Sequence, residues 1–197
     1  ADGNGITIAV LDTGITEHPD IDTSNADQGY DFITDAFVSV RDSDERVPGG
    51  WDLGDWTIGY PGAEGCIQRN SSWHGTHVAG TAGAQLTDNG IGMTGIAYNA
   101  DILHLRVLGH CGGYESDIND AIVWAAGGEV EGMPLNPNPA HVINLSLGGE
   151  GPCSSGDAAA IAQARELGAV VVVSAGNENA NVSAYSPGNC PGVVTVA

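Results

Sequence analysis

ITIAVL, residues 6–11, reads as a β-strand buried on both faces. Four further apolar runs have the same character: ILHLRVL (102–108), VINLSL (142–147), AVVVVSA (169–175) and VVTVA (193–197). Helical patterns lie between them. In SDINDAIVWAA (116–126), Ser116 is placed to cap, and Ile118, Ala121, Ile122 and Ala125 form one apolar stripe. In GDAAAIAQARELG (156–168), Ala158, Ile161 and Ala162 share a face, and Gly168 stands where a helix would end. Apolar strands separated by helices imply an α/β fold, a three-layer α/β/α sandwich on a central parallel sheet.

In such sheets ligands bind at the carboxyl ends of the strands. Asp12 ends the first predicted strand and Asn177 lies just past the fourth, so both belong to one rim. Residues 30–70 are polar, glycine-rich and acidic without a clear period, and are expected to form an acidic surface insertion. With 197 residues and no linker, the chain reads as a single domain, residues 1–197.

Charge narrows the partners. Twenty-five acidic residues face five basic ones, all arginine, giving a formal charge of −20. That field repels phosphates, which argues against nucleic acid. No run is long and apolar enough to be a transmembrane helix. Screening in a salty or calcium-rich medium, with some carboxylates holding calcium, accounts for the acid excess. Cys66, Cys111, Cys153 and Cys190 lack CxxC spacing, so two disulfides and an oxidising compartment are expected, with three connectivities open.

Three stretches carry the chemistry. VLDTGI (10–15) takes an acid out of a buried strand into a tight turn. HGTHVAG (74–80) starts a helix among small residues. SAGN (174–177) puts an amide at a strand end. An aspartate, a histidine and an amide can orient a base, move a proton and stabilise an oxyanion. His74 and His77, three apart, could also share a metal, but the zinc-protease pattern HExxH has its own glutamate and no acid lies between these two.

The chain resembles the subtilisin-like serine proteases through DTGI…HPDI, HGTHVAGTAGA, NGIGMTGIA, LRVLG, NLSLGG, VVVSAGNEN and YSPGNCPGVVTVA, in that family's order. The resemblance implies a serine endopeptidase with Asp12 as the orienting carboxylate, His74 as general acid and base, and Asn177 as oxyanion donor. His77 is implied to be structural, and we read it as hydrogen-bonded packing. Gly112 and Gly113 match the edge that pairs with extended substrate. Ser146, Leu147, Gly148 and Gly149 match the segment lining the pocket for the residue before the cut. The family's nucleophile stretch resembles GTSMA, and no GTS occurs here. The chain therefore reads as a catalytic domain truncated at both ends, inactive on its own.

The resemblance also implies a structural calcium held by Asp20, Asn89 and the carbonyls of Thr87, Ile91 and Met93. A second calcium site is expected from Asp42, Asp44, Asp52 and Asp55, which could converge on one hard cation. The resemblance, with loop position, favours disulfides Cys66–Cys111 and Cys153–Cys190. No organic cofactor is expected. The expected partners are protein or peptide substrates bound as an extended strand, with no nucleic acid and no membrane, to a secreted monomer. Two alternatives are a non-catalytic peptide-binding relative and a metal-dependent hydrolase using His74 and His77.

Overall fold

The computed structural model describes residues 2–197. Strands run in chain order as β1 (Thr7–Asp12), β2 (Tyr30–Asp31), β3 (Val47–Pro48), β4 (Asp101–Arg106), β5 (Val142–Leu145), β6 (Gly149–Glu150), β7 (Val170–Ser174), β8 (Tyr185–Ser186) and β9 (Val194–Val196). The principal helices are α1 (Ala36–Ser39), α2 (His74–Ala79), α3 (Glu115–Ala125) and α4 (Ser155–Glu166). Seven strands form one sheet in the order β3-β2-β4-β1-β5-β7-β9, parallel except for β3 against β2. β6 and β8 make a separate antiparallel ribbon.

β1 sits at the centre because it can bury both faces. Ala9 and Leu11 join the larger core, under α3 and α4, with Leu103, Leu105, Ile143, Leu145 and Val171. Val10 joins the smaller core with Ile15, Ala79, Ala84 and Ile102, beneath α2. Each alternate residue thus faces a different layer, which is the three-layer arrangement the apolar runs predict. No helix among the described residues is long and apolar enough to cross a membrane.

Helix detail departs from expectation in two places. α3 begins at Glu115, with Tyr114 at its N-cap and no side-chain cap, so Ser116 lies inside the first turn. On α4 the buried positions are Asp157, Ala160, Ile161 and Ala164, while Ala162 is exposed. Gly168 does follow the helix with φ +99°, a conformation that favours glycine.

Residues 30–70 are a surface segment only in part: 42–45 and most of 58–70 are exposed, while other parts of the stretch enter the core. β2 and β3 complete one edge of the sheet. Phe32 and Ile33 are fully buried, and Phe32 packs edge-on against Trp124, ring centroids 5.6 Å apart. Acidic residues of the stretch are buried too, because cations and backbone donors meet them. Arg106 is fully buried and donates to Asp31 Oδ2 at 2.8 Å and to the Ser39 carbonyl at 2.7 Å. Arg41 donates to the same Asp31 oxygen at 3.1 Å.

Candidate active site

β1 delivers Asp12 to the carboxyl rim, where it is fully buried. α2 starts at His74 and crosses directly over the turn after β1. It can do so because Gly75 lies against that turn, where a Cβ would collide with the Gly14 carbonyl oxygen and crowd Asp12. The Gly75 amide donates to Thr13 Oγ1 at 2.9 Å, and the Thr16 amide donates to Thr76 Oγ1 at 2.9 Å, so β1 and α2 are stitched at two points.

The result is contact between side chains 62 residues apart. His74 Nδ1 lies 2.8 Å from Asp12 Oδ1 and 2.9 Å from Oδ2. A carboxylate only accepts, so Nδ1 carries the hydrogen and Nε2 is left as the basic nitrogen. The His74 side chain is 46% exposed while Asp12 is 0% exposed, so the open part of the ring faces solvent. The His74 pKa is raised, chiefly by the hydrogen bond to Asp12 and less by the charges of Asp12 and Asp55; partial burial and Arg69 act against this. Asp12 also accepts from the Thr13 amide at 2.7 Å, which fixes the carboxylate plane.

Asn177 lies on an exposed turn past β7, at the same rim of the sheet as Asp12, β7 being two strands from β1 across β5. Its backbone amide donates to Glu178 Oε2 at 2.7 Å, and its side-chain amide has no protein partner among the described residues. Next to this rim a cleft of about 500 Å³ opens between the start of α3 and the β6–β8 ribbon. Gly112 and Gly113 line one side and Leu147, Gly148 and Gly149 the other, so both expected substrate segments border one space. Ser146 is outside this lining, and its Oγ accepts from Asn144 Nδ2 at 3.0 Å. Disulfides join Cys66 to Cys111 and Cys153 to Cys190, and Cys111 lines the same cleft.

His77 is not buried packing. It is exposed on the outer face of α2, with its ring free of protein hydrogen bonds among the described residues, because the inner face of that helix is taken by Gly75, Thr76 and Ala79. A metal shared with His74 finds no support either. Nδ1 of His74 is committed to Asp12, and no three acidic, histidine or cysteine side chains converge among the described residues.

The two calcium expectations fare differently. Asp20 is buried and accepts from Asn89 Nδ2 at 2.6 Å and from Gln85 Nε2, beneath the loop containing Thr87, Ile91 and Met93. Gly92 lies so close that a Cβ would strike Asp20 Oδ2. A carboxylate beside two amide side chains is the oxygen donor chemistry that suits a hard cation. Asp42, Asp44, Asp52 and Asp55 do not form a site. Asp44 accepts from the Ala36 amide at 2.7 Å, whereas Asp52 and Asp55 are buried beside the start of α2 and bonded to protein donors. These acids are close in sequence, but the chain turns at Gly54, φ +98°, and sends them to different neighbours.

Sequence reading missed Thr13, Ser72 and the inward direction of Asp52 and Asp55. The available signal was the pair of acids flanking a glycine in WDLGDW (51–56).

A profile of the subtilase family matches residues 3–197. An extracellular protease of Xanthomonas campestris pv. campestris is 51% identical over all of this chain, which covers 33% of that protein. An extracellular basic protease of Dichelobacter nodosus is 46% identical over 98% of the chain, covering 32% of that protein. The chain thus spans about a third of the length of these curated relatives. Among solved structures, a protease from Pseudoalteromonas arctica matches with TM-score 0.91 and 50% identity, over 100% of this chain and 57% of that one.

Proposed function

The chain belongs to the subtilase family, and from that premise we propose that it is the Asp–His part of a secreted, subtilisin-type serine endopeptidase. The observation that carries the reading is the Asp12–His74 pair, with Nδ1 held at 2.8 Å and the opposite side of the ring open. His74 Nε2 takes the proton of the nucleophilic hydroxyl as it attacks the scissile carbonyl, then delivers it to the leaving amine. Asp12 keeps the ring in the required tautomer and stabilises the imidazolium formed between those events. Asn177 turns its amide toward the carbonyl oxygen as charge develops there. The glycine-lined cleft receives extended substrate backbone close to its walls. The nucleophile is a serine outside these 197 residues, so the 197-residue chain alone does not hydrolyse peptides.

Calcium enters this reading as structure only. Asp20 and Asn89, with carbonyls of the 87–93 loop, would hold it, and the ion supplies charge neutralisation under that loop. The names of the two relatives as extracellular proteases, and the two disulfides, support secretion.

The test is hydrolysis of a peptide ester by the enzyme that contains this chain. His74→Ala lowers kcat on the order of 10⁶-fold, the size subtilisin itself shows on losing its histidine or serine. Retention of activity in that variant, or substantial hydrolysis by residues 1–197 alone, removes the reading.

A further inference from the structure

Trp73, the residue before His74, has φ 51° and ψ 32°, a left-handed conformation that is strained for a bulky side chain. Two buried carboxylates hold the chain on either side of it. Asp55, fully buried, accepts from the Ser72 amide at 2.6 Å through Oδ1 and from Ser72 Oγ at 2.9 Å through Oδ2. Ser72 Oγ in turn accepts from the His74 amide at 3.3 Å. On the far side, Thr13 Oγ1 donates to Asp52 Oδ2 at 2.6 Å while accepting from the Gly75 amide at 2.9 Å. Asp52 Oδ1 takes the Gly54 amide at 2.7 Å, and Arg69 Nη2 lies 3.0 Å from Asp55 Oδ2. Every oxygen of both carboxylates is thereby occupied by a protein donor.

We infer that Asp52 and Asp55 are positioning residues for the general base, a clasp that grips the turn presenting His74, Asp55 through Ser72 and Asp52 through Thr13. The inference rests on the proposed proton-carrying role of His74 and adds to it the reason the ring is presented at one angle. α2 has no side-chain cap at its start, so these hydroxyl bridges fix the residue before Trp73 and the residue after His74. Gly54, between the two acids, keeps the clasp closed. A Cβ there would meet the Trp56 ring at 2.6 Å and Ser71 Oγ at 2.8 Å. The charged groups facing His74 are Asp12 from β1 and Asp55 and Arg69 from the segment before α2. Asp55 favours the imidazolium and Arg69 opposes it, so the clasp also sets the electrostatics of the proton carrier.

The experiment compares Asp55→Asn, Ser72→Ala, Thr13→Val and Thr13→Ser in the peptidase containing this chain. It reads kcat and KM separately, together with the NMR titration of the His74 ring. Misplacing a catalytic group by about 1 Å costs about 10²-fold. Asp55→Asn and Thr13→Val are expected to lower kcat about 10- to 100-fold with KM little changed. Asp55→Asn is also expected to move the His74 titration to lower pH, and Thr13→Ser to restore kcat. A residue that merely supports the fold would lower the active fraction and leave the His74 titration in place. Unchanged kcat and titration in Asp55→Asn overturn the clasp. If that variant does not fold, Ser72→Ala and Thr13→Val decide the matter in its stead, since each removes one hydroxyl bridge, and unchanged kcat in both overturns the clasp. An active His74→Ala enzyme would instead overturn the function reading. An inactive His74→Ala with indifferent clasp variants overturns the clasp alone.

Discussion

His104 shows how strongly this fold can act on a single side chain. It lies on β4, 2% exposed, with Nε2 lacking a hydrogen-bond partner among the described residues, and burial pushes its pKa down to about 4. Folding therefore requires the neutral ring. The unfolded chain binds a proton below its ordinary value of 6.5, and the folded chain does not until about 4, so acid favours unfolding between those limits. The sign is opposite for His74, whose raised pKa makes its protonated form the one the fold favours. His104→Leu is expected to flatten the fall in stability between pH 6.5 and about 4, a difference on the order of 3 kcal/mol at the acid end. Urea unfolding at a series of pH values measures it, and an unchanged acid slope would refute the assignment.

At the scale of the element, α2 is the piece that makes a site out of a rim. Its placement depends on Gly75 more than on helix propensity, because it is only six residues long and rich in glycine, threonine and histidine. Gly75→Ala is expected to destabilise the protein by about 1–3 kcal/mol through overpacking against the Gly14 carbonyl. It should also lower kcat more than it raises KM, which steady-state kinetics on the folded variant will show. The five main strands are legible in the sequence as apolar runs, but β9 is not buried as its composition predicts: it is the edge strand of the sheet, and Val194 and Val196 are exposed. The Asp12–His74 contact is legible too, since Asp12 closes a strand motif and His74 opens a helix motif. Residues 30–70 are not legible. β2 and β3 are two residues long, too short for any period, and Asp31, Asp52 and Asp55 read as surface acids until Arg106, Thr13 and Ser72 are seen to meet them. Burial of a charge is decided by partners distant in the chain, which local pattern does not record. His77 fails for the converse reason: a motif places it, but which helix face it shares depends on what packs there.

Across the whole molecule, a formal charge of −20 on 197 residues makes the compact state repel itself. Sodium chloride and calcium chloride at matched ionic strength separate general screening from site binding. Screening raises Tm with either salt. If the proposed Asp20–Asn89 site holds calcium, the ion at about 100 times its dissociation constant is expected to add about 3 kcal/mol beyond that. Equal Tm in the two salts, read by calorimetry, would remove calcium from that site.

The Cys66–Cys111 bond closes a ring of chain that contains α2, the exposed 86–93 loop and β4. A nick anywhere inside that ring leaves two pieces still tethered by sulfur, with Asp12 on one side of the break and the cleft glycines 112 and 113 on the other. The chain can thus be cut at an accessible loop and keep its halves together.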